Sequence, residues 1–171
     1  SVDIARAFMD LAGAQYGNTF VGRSFLGMLQ DSKTVIRSYV FGEKNWHDFS
    51  DRCRYVRDER YKYIRNFYPH YANTPSADAL RSPVFRTMQR LHKEHKLNSA
   101  QQNCFIRPRP TEELYDLEND PHELKNLAGK SEYVHVLKRM RGELEGWQKR
   151  TDDNEPEFEA PDEFDREPGL P

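Results

Sequence analysis

The chain has no apolar run long enough to cross a bilayer, so no membrane-spanning helix is read from it. Hydrophobic residues are scarce, 36% of 171, and the mean hydropathy is −0.97. A chain this polar is either partly unstructured or rests against something larger. The two cysteines, Cys53 and Cys104, do not make a disulfide framework and leave the redox compartment open. There is no glycine-rich phosphate loop, no G-x-S-x-G elbow, no His-Glu-x-x-His and no C-x-x-C, which removes the commonest nucleotide, esterase, zinc and thiol-redox readings. Nor is a signal peptide read. Ser1 leads into SVDIARAFMDLAG, where Asp and Arg interrupt the apolar residues, and the localisation stays unknown.

What is present is segregated charge. The net charge is −2, but residues 151–171 carry nine acidic side chains against the single basic Arg166, which leaves residues 1–150 at +6. In that body both signs are interspersed and no nucleic-acid motif accompanies them, so no nucleic-acid partner is expected.

Three segments follow from pattern. Residues 1–33 contain a helix with Asp3 as N-cap, Ile4, Phe8 and Leu11 on one face, and Gly13 as left-handed stop. Residues 34–150 supply four strands and most of the helices. TVIRSYVF (Thr34–Phe41) reads as a strand, RCRYVRD and RYKYIRNF as a hairpin about Glu59, and Glu113–Leu117 as a fourth strand. Ser82-Pro83 opens a helix with Val84, Met88 and Leu91 on its stripe, and Asn98 or Ser99 starts a shorter one. A long helix spans about Ser131–Arg150, its Tyr133, Leu137, Met140, Leu144 and Trp147 forming one stripe. Residues 151–171 form an acidic, proline-containing tail, solvated unless a basic surface captures Phe158 and Phe164. The fold class is α+β: a small four-stranded antiparallel sheet with packed helices on one face, including the long C-terminal helix.

Chemistry is concentrated between the first two strands, in GEKNWHDFSDRCR. Asn45 both donates and accepts, His47 can exchange a proton near neutral pH, and Glu43 accepts hydrogen bonds. Trp46 offers a face of the kind sugars stack upon. The competing reading is a polar loop whose Asp and Asn side chains satisfy local backbone. Cys53 precedes Arg54 and Arg57, which would favour a thiolate, but a cysteine inside a strand more often serves as a small packed hydrophobe. His92 and His95 sit among Lys93, Glu94 and Lys96 on a solvated face, and no metal is read there.

A family resemblance adds to this. ELYDLENDPHELKNL (Glu113–Leu127) resembles the C-terminal signature of the type I sulfatases, and here too a long helix ending near a tryptophan follows it. SVDIARAFMDLAG resembles the segment closing that family's large α/β domain, with Arg6-Ala7 where Pro-Thr is usual, and GRSFLGML resembles the segment after it. VFGEKNWHDFSDRCRYVRDERYKYIRNF is similar to the branch containing heparan N-sulfatase (sulfamidase). The signature itself reads as structural, with Asp120-Pro121 fixing a turn, Asn126 bonding nearby backbone and Leu127 entering the core.

The departures limit what the resemblance implies. No C/S-x-P-x-R motif, the source of the family's formylglycine nucleophile, occurs; Cys53-Arg-Tyr-Val-Arg57 has Tyr55 where proline belongs. The calcium-binding Asp pair is also absent. The resemblance therefore implies no catalytic residue, metal or cofactor in this chain, with calcium and formylglycine expected in an N-terminal domain that would be its main partner. It implies a sulfated sugar substrate and Glu43, Asn45, His47 and Arg54 as substrate contacts, Arg54 toward an anion. It points to a periplasmic, lysosomal or secreted parent and leaves homo-oligomerisation open. The alternative is a stand-alone, non-catalytic module gripping sulfated glycans through the arginines of Arg52–Arg65.

Overall fold

The computed structural model describes residues 2–15, 17 and 20–170 and contains two compact units, Ser1–Tyr39 and Val40–Pro171.

In the first unit, α1 (Val2–Leu11) is followed by Gly13 at φ +62°, the expected left-handed stop. Asp3 is not the cap read from the sequence. It lies within the helix, where its carboxylate accepts from the Arg23 backbone N–H at 2.8 Å and pairs with Arg37. Arg23 Nη1 in turn donates to the Ile36 carbonyl at 2.8 Å, so these polar contacts fasten the connector around a short α2 (Leu26–Gln30). Only Ala7 of α1 is buried; Ile4, Phe8 and Leu11 are all exposed.

The second unit is built on an antiparallel sheet in the order β1 (Val40–Lys44), β2 (Cys53–Arg57), β3 (Tyr61–Asn66), β4 (Glu112–Asp116). The strand read over Thr34–Phe41 begins only at Val40 and runs on into the polar cluster. Its register explains the shift. Gly42 pairs with Tyr55, and a Cβ there would lie 2.2 Å from the Tyr55 ring, so the glycine makes this pairing possible. The charged Glu43 and Lys44 suit an edge strand, where they discourage pairing with another chain.

Alternation along the strands sends Val56, Tyr63 and Leu114 to one face, and all three are inaccessible to solvent. The long helix, α6 (Val134–Thr151), lays Leu137, Met140 and Leu144 on that face, as its periodicity predicted. Trp147 stacks on Phe41 with centroids 5.3 Å apart, and Tyr133 meets Tyr61 edge-on. Ion pairs ring the contact: Arg141 grips Glu112 with two 2.8 Å hydrogen bonds, and Arg139 reaches Asp58 at 2.8 Å.

The Glu113–Leu127 motif is indeed a clamp on β4. Asp120 Oδ2 accepts from the Leu124 and Lys125 N–H groups. Asn126 Oδ1 accepts from the Leu114 and Ala128 N–H groups while its amide donates to the Glu112 carbonyl. These bonds satisfy edge-strand backbone that would otherwise be unpaired.

A second apolar cluster, Phe49, Ala77 and Leu80 with Phe85 and Phe164, joins α3 (Ala77–Leu80) and α4 (Pro83–Lys93) to the loop after β1. Ser82 caps α4, its Oγ accepting from the Phe85 N–H at 3.2 Å. The inward residue of α4 is Phe85 rather than Val84, which is exposed, because the cluster meets the helix one position round. Asn98 caps α5 (Ser99–Gln102) in a reciprocal capping box with Gln101.

Candidate functional site

The β1–β2 loop is held from below by a buried ion cluster. Asp51 accepts from Arg109 at 2.7 Å on one oxygen and from Lys44 at 2.8 Å on the other. Both Asp51 and Arg109 are buried. Burial alone would raise the Asp51 carboxyl, but hydrogen bonds from Arg109 and Lys44 and their charges hold it below its usual value. Asp48 ties the loop to α3, one oxygen accepting from the Ala77 N–H at 2.6 Å.

The acidic tail closes over the same loop. Trp46 Nε1 donates to the Pro161 carbonyl at 2.8 Å, and the Ser50 N–H to Asp162 at 2.6 Å. The Glu163 N–H donates to the Asp48 carbonyl at 3.0 Å. Arg166, the tail's lone basic residue, pairs with Asp162, donates to the Ser50 carbonyl at 2.6 Å, and lies 3.7 Å over the Tyr71 ring. Phe164 enters the Phe49 cluster beneath Arg81, whereas Phe158 stays exposed. The tail is thus anchored at Phe164 by an apolar cluster rather than by a basic surface.

The four sequence-derived site residues fall in two places. Glu43, Asn45 and Arg54 converge: Arg54 Nη1 donates to Asn45 Oδ1 at 2.8 Å, and Nη2 lies 3.8 Å from Glu43. Arg54 is buried, and its Nε and Nη2 make two 2.7 Å bonds to Asp153. Those bonds lower the Asp153 carboxyl below its usual value. Arg54's fork is therefore occupied within the fold and acts to fix Asn45. His47 stands apart, its side chain 82% exposed and its Nδ1 3.0 Å from Asp48.

Asn45 and His47, but not Glu43 or Arg54, line a cleft of about 430 Å³. Its other polar walls include Lys44, Asn73 and Arg166, and Phe49, Phe85 and Met88 supply apolar surface. Lys44 Nζ also donates to Asn73 Oδ1 at 3.2 Å, bridging the rim. Sequence reading missed Asn73, Asp153 and Arg166. Only Arg166 carried a signal, as the one cation in an acidic segment. Asp48 and Asp51 line the cleft as well, and Lys44 and Arg166 are each paired with a carboxylate. An uncharged amide, an exposed imidazole and these balanced charges around an apolar floor therefore suit a hydroxyl-bearing ligand.

Cys53 takes the packed reading rather than the thiolate one. Burial first, then the Asp51 charge, push its thiol up to about 11. His92 is likewise not on a solvated face: its ring stacks on Phe105 at 4.3 Å and its Nδ1 lies 2.8 Å from Gln102. Among the described residues no group of three or more His, Cys, Asp and Glu is placed to hold a metal ion. Those residues thus offer no carboxylate cluster that fits a calcium ion. Among the same residues, no helix is long and apolar enough to cross a membrane.

A four-stranded antiparallel sheet backed by a long C-terminal helix is the architecture found in sulfatase structures, and the chain aligns with the C-terminal part of sulfatases. Two relatives are ulvan-active sulfatases of Formosa agariphila. One is 37% identical over 148 residues, covering 85% of this chain and 24% of the relative. The other is 31% identical over 156 residues, covering 88% and 29%. Human N-sulphoglucosamine sulphohydrolase is 28% identical over 140 residues, covering 77% and 26%. The chain thus spans about a quarter of the length of the curated relatives it matches. No protein-family model matches the chain. Among solved structures, a 2-O GAG sulfatase aligns at TM-score 0.56 and 24% identity, over 88% of this chain and 25% of its own. A protein solved in complex with its substrate D-glucosamine-2-N,6-O-disulfate aligns at TM-score 0.58 and 23% identity, over 90% and 24%. At these identities the likeness is one of fold.

Proposed function

We propose that this chain is the C-terminal portion of a sulfatase hydrolysing sulfate esters or sulfamates of glycans. It supplies a substrate-facing loop, Gly42–Arg54, and not the nucleophile. Calcium, formylglycine and the catalytic domain belong to the remainder of the enzyme. The observation that carries the reading is the cleft in which Asn45 and His47 meet Lys44 and Arg166. Within it His47 is the exposed group that can donate to a sulfate or bridging oxygen, and Asn45, locked by Arg54, presents its amide to a hydroxyl. Glu43 flanks this pair from the strand edge. Arg54 serves by holding Asn45 rather than by meeting an anion.

The relatives that are sulfatases support this reading, and so does the exposed apolar face of α1, which suits a segment that rests on a larger body. The alternative, a free-standing module that grips sulfated glycans, draws on the arginines of Arg52–Arg65. Most of these are engaged internally: Arg52 over Phe67, Arg54 on Asp153, and Arg60 on Asp116.

The test is kinetic, in the complete polypeptide that carries this chain. His47→Ala and Asn45→Ala should each lower kcat/KM for sulfate release about 10- to 100-fold, the cost of a hydrogen bond to a charged or reacting group. The melting temperature should not move for His47→Ala, whose side chain is exposed, and should fall for Asn45→Ala, which removes an acceptor of the buried Arg54. Unchanged kinetics in both variants would overturn the role of the loop. A reading frame lacking C/S-x-P-x-R upstream of Ser1 would overturn the enzyme itself.

A further inference from the structure

A second cleft, of about 320 Å³, lies on the face of the sheet that α6 leaves open. Its floor is the outward row of the strands, with Ile64 and Cys53 at the centre, and its walls come from the Asn103–Pro110 segment and the turn at His122. It adjoins the first cleft: Lys44 and Asn73 line both, and the 3.2 Å bond between them forms the shared rim.

The lining is polar and electrically balanced. Lys62 is matched by Glu123 at 2.6 Å, and Lys44 and Arg109 by Asp51. Glu113 accepts from Asn66 at 2.6 Å and from the Tyr115 hydroxyl. With its charges paired, the cleft offers no surplus cation to a sulfate. It does offer amides at Asn73 and Asn103 and the imidazole of His122. Arg109, whose side chain is only 7% exposed, lines it too, and its Nε has no hydrogen-bond partner among the described residues.

We infer that this cleft seats a second, unsulfated sugar ring of the same ligand, so that the protein engages a glycan of at least two rings across the Lys44–Asn73 rim. The inference rests on the reading of the first cleft as the seat of the sulfated ring. A hydroxyl-rich neutral ring matches both the lining and the volume: amide and imidazole groups pair with hydroxyls in either direction, and Ile64 meets the ring's C–H face. Asn103 and His122 are the specificity-determining residues. Both are exposed, so their removal leaves the fold undisturbed.

The experiment compares two substrates in the complete polypeptide, a sulfated monosaccharide and a disaccharide joining that ring to an unsulfated one. The Asn103→Ala/His122→Ala double variant should raise KM for the disaccharide about tenfold, through loss of one or two hydrogen bonds, and leave its kcat and all monosaccharide kinetics unchanged. Equal changes for both substrates, or no change for either, would overturn the second seat while leaving the first reading intact. If the unaltered protein releases sulfate from neither substrate, the first reading fails. Calorimetric binding of the unsulfated disaccharide then decides: binding that the double variant abolishes upholds the second seat, and absence of binding overturns it. A disaccharide sulfated on both rings should bind less tightly than one sulfated on the first ring alone. Tighter binding would overturn the assignment of an uncharged ring.

Discussion

The two faces of the sheet are made by the same four strands, residue by alternate residue, and they are held by different forces. On the covered face Val56, Tyr63 and Leu114 meet Met140 and Leu144, and close packing with exclusion of water dominates. The open face carries Lys44, Cys53, Lys62 and Glu113, and the support beneath its clefts is ionic: Asp51 between Arg109 and Lys44. Where Leu137, Met140 and Leu144 pack, the covered face is sealed, and space opens on that side only at the C-terminal end of α6, beside Arg52 and Phe67. The face left to loops has clefts and must be stabilised by charge.

That contrast breaks most sharply at the ion cluster. Arg109→Ala should cost about 3–5 kcal/mol, because Asp51 would stay buried with only the half-exposed Lys44 as partner. Denaturant unfolding of the second unit measures it; a loss under about 1 kcal/mol would show that the open face does not depend on charge. On the covered face, Met140→Ala should cost about 2–5 kcal/mol by leaving a cavity against the strands. Ile64→Ala, the matching truncation on the open face, should cost less than about 1.5 kcal/mol, since its site is not sealed.

The faces should also separate by pH. Asp51 has a folded-state pKa below its unfolded value, so its contribution is fully present above the unfolded pKa of roughly 4 and is lost as pH falls through the folded one. Asp51→Asn should therefore flatten the acid limb of the stability profile, whereas Met140→Ala should lower the whole profile without changing its shape. The smallest effect concerns Cys53. With its thiol pushed up to about 11, it should be alkylated more slowly at pH 8 in the folded protein than after unfolding. Equal labelling rates in the native and unfolded states would contradict the raised thiol.

Much of the scaffold was legible because it follows local rules. The stripe of α6, the Ser82-Pro83 and Asn98 caps, the hairpin about Glu59 and the Asp120–Asn126 clamp all depend on residues within one or two turns of each other. The first strand was misplaced because β-propensity favoured Thr34–Tyr39, while pairing with β2 recruited Gly42, Glu43 and Lys44. The candidate site was legible in part. Asn45 and His47 stood out as polar groups at the end of a strand, but Arg54 looked like an anion partner until Asp153, 99 positions away, proved to occupy its fork.

The two ends of the chain show where such reading stops. The apolar stripe of α1 is plain from its spacing, yet within its own unit Ile4, Phe8 and Leu11 stay exposed. The tail has no periodicity and an excess of acid, yet it fastens to the loop and α4 through Phe164, Arg166 and Glu167. The sequence by itself determined which segments would be helix, hairpin and clamp, since those depend on neighbours along the chain. Only the tertiary structure decided which charges were already neutralised and which polar groups were left facing a cleft. Ion pairs form between side chains brought within about 4 Å, and that distance is set by how the elements pack, not by their separation in the chain.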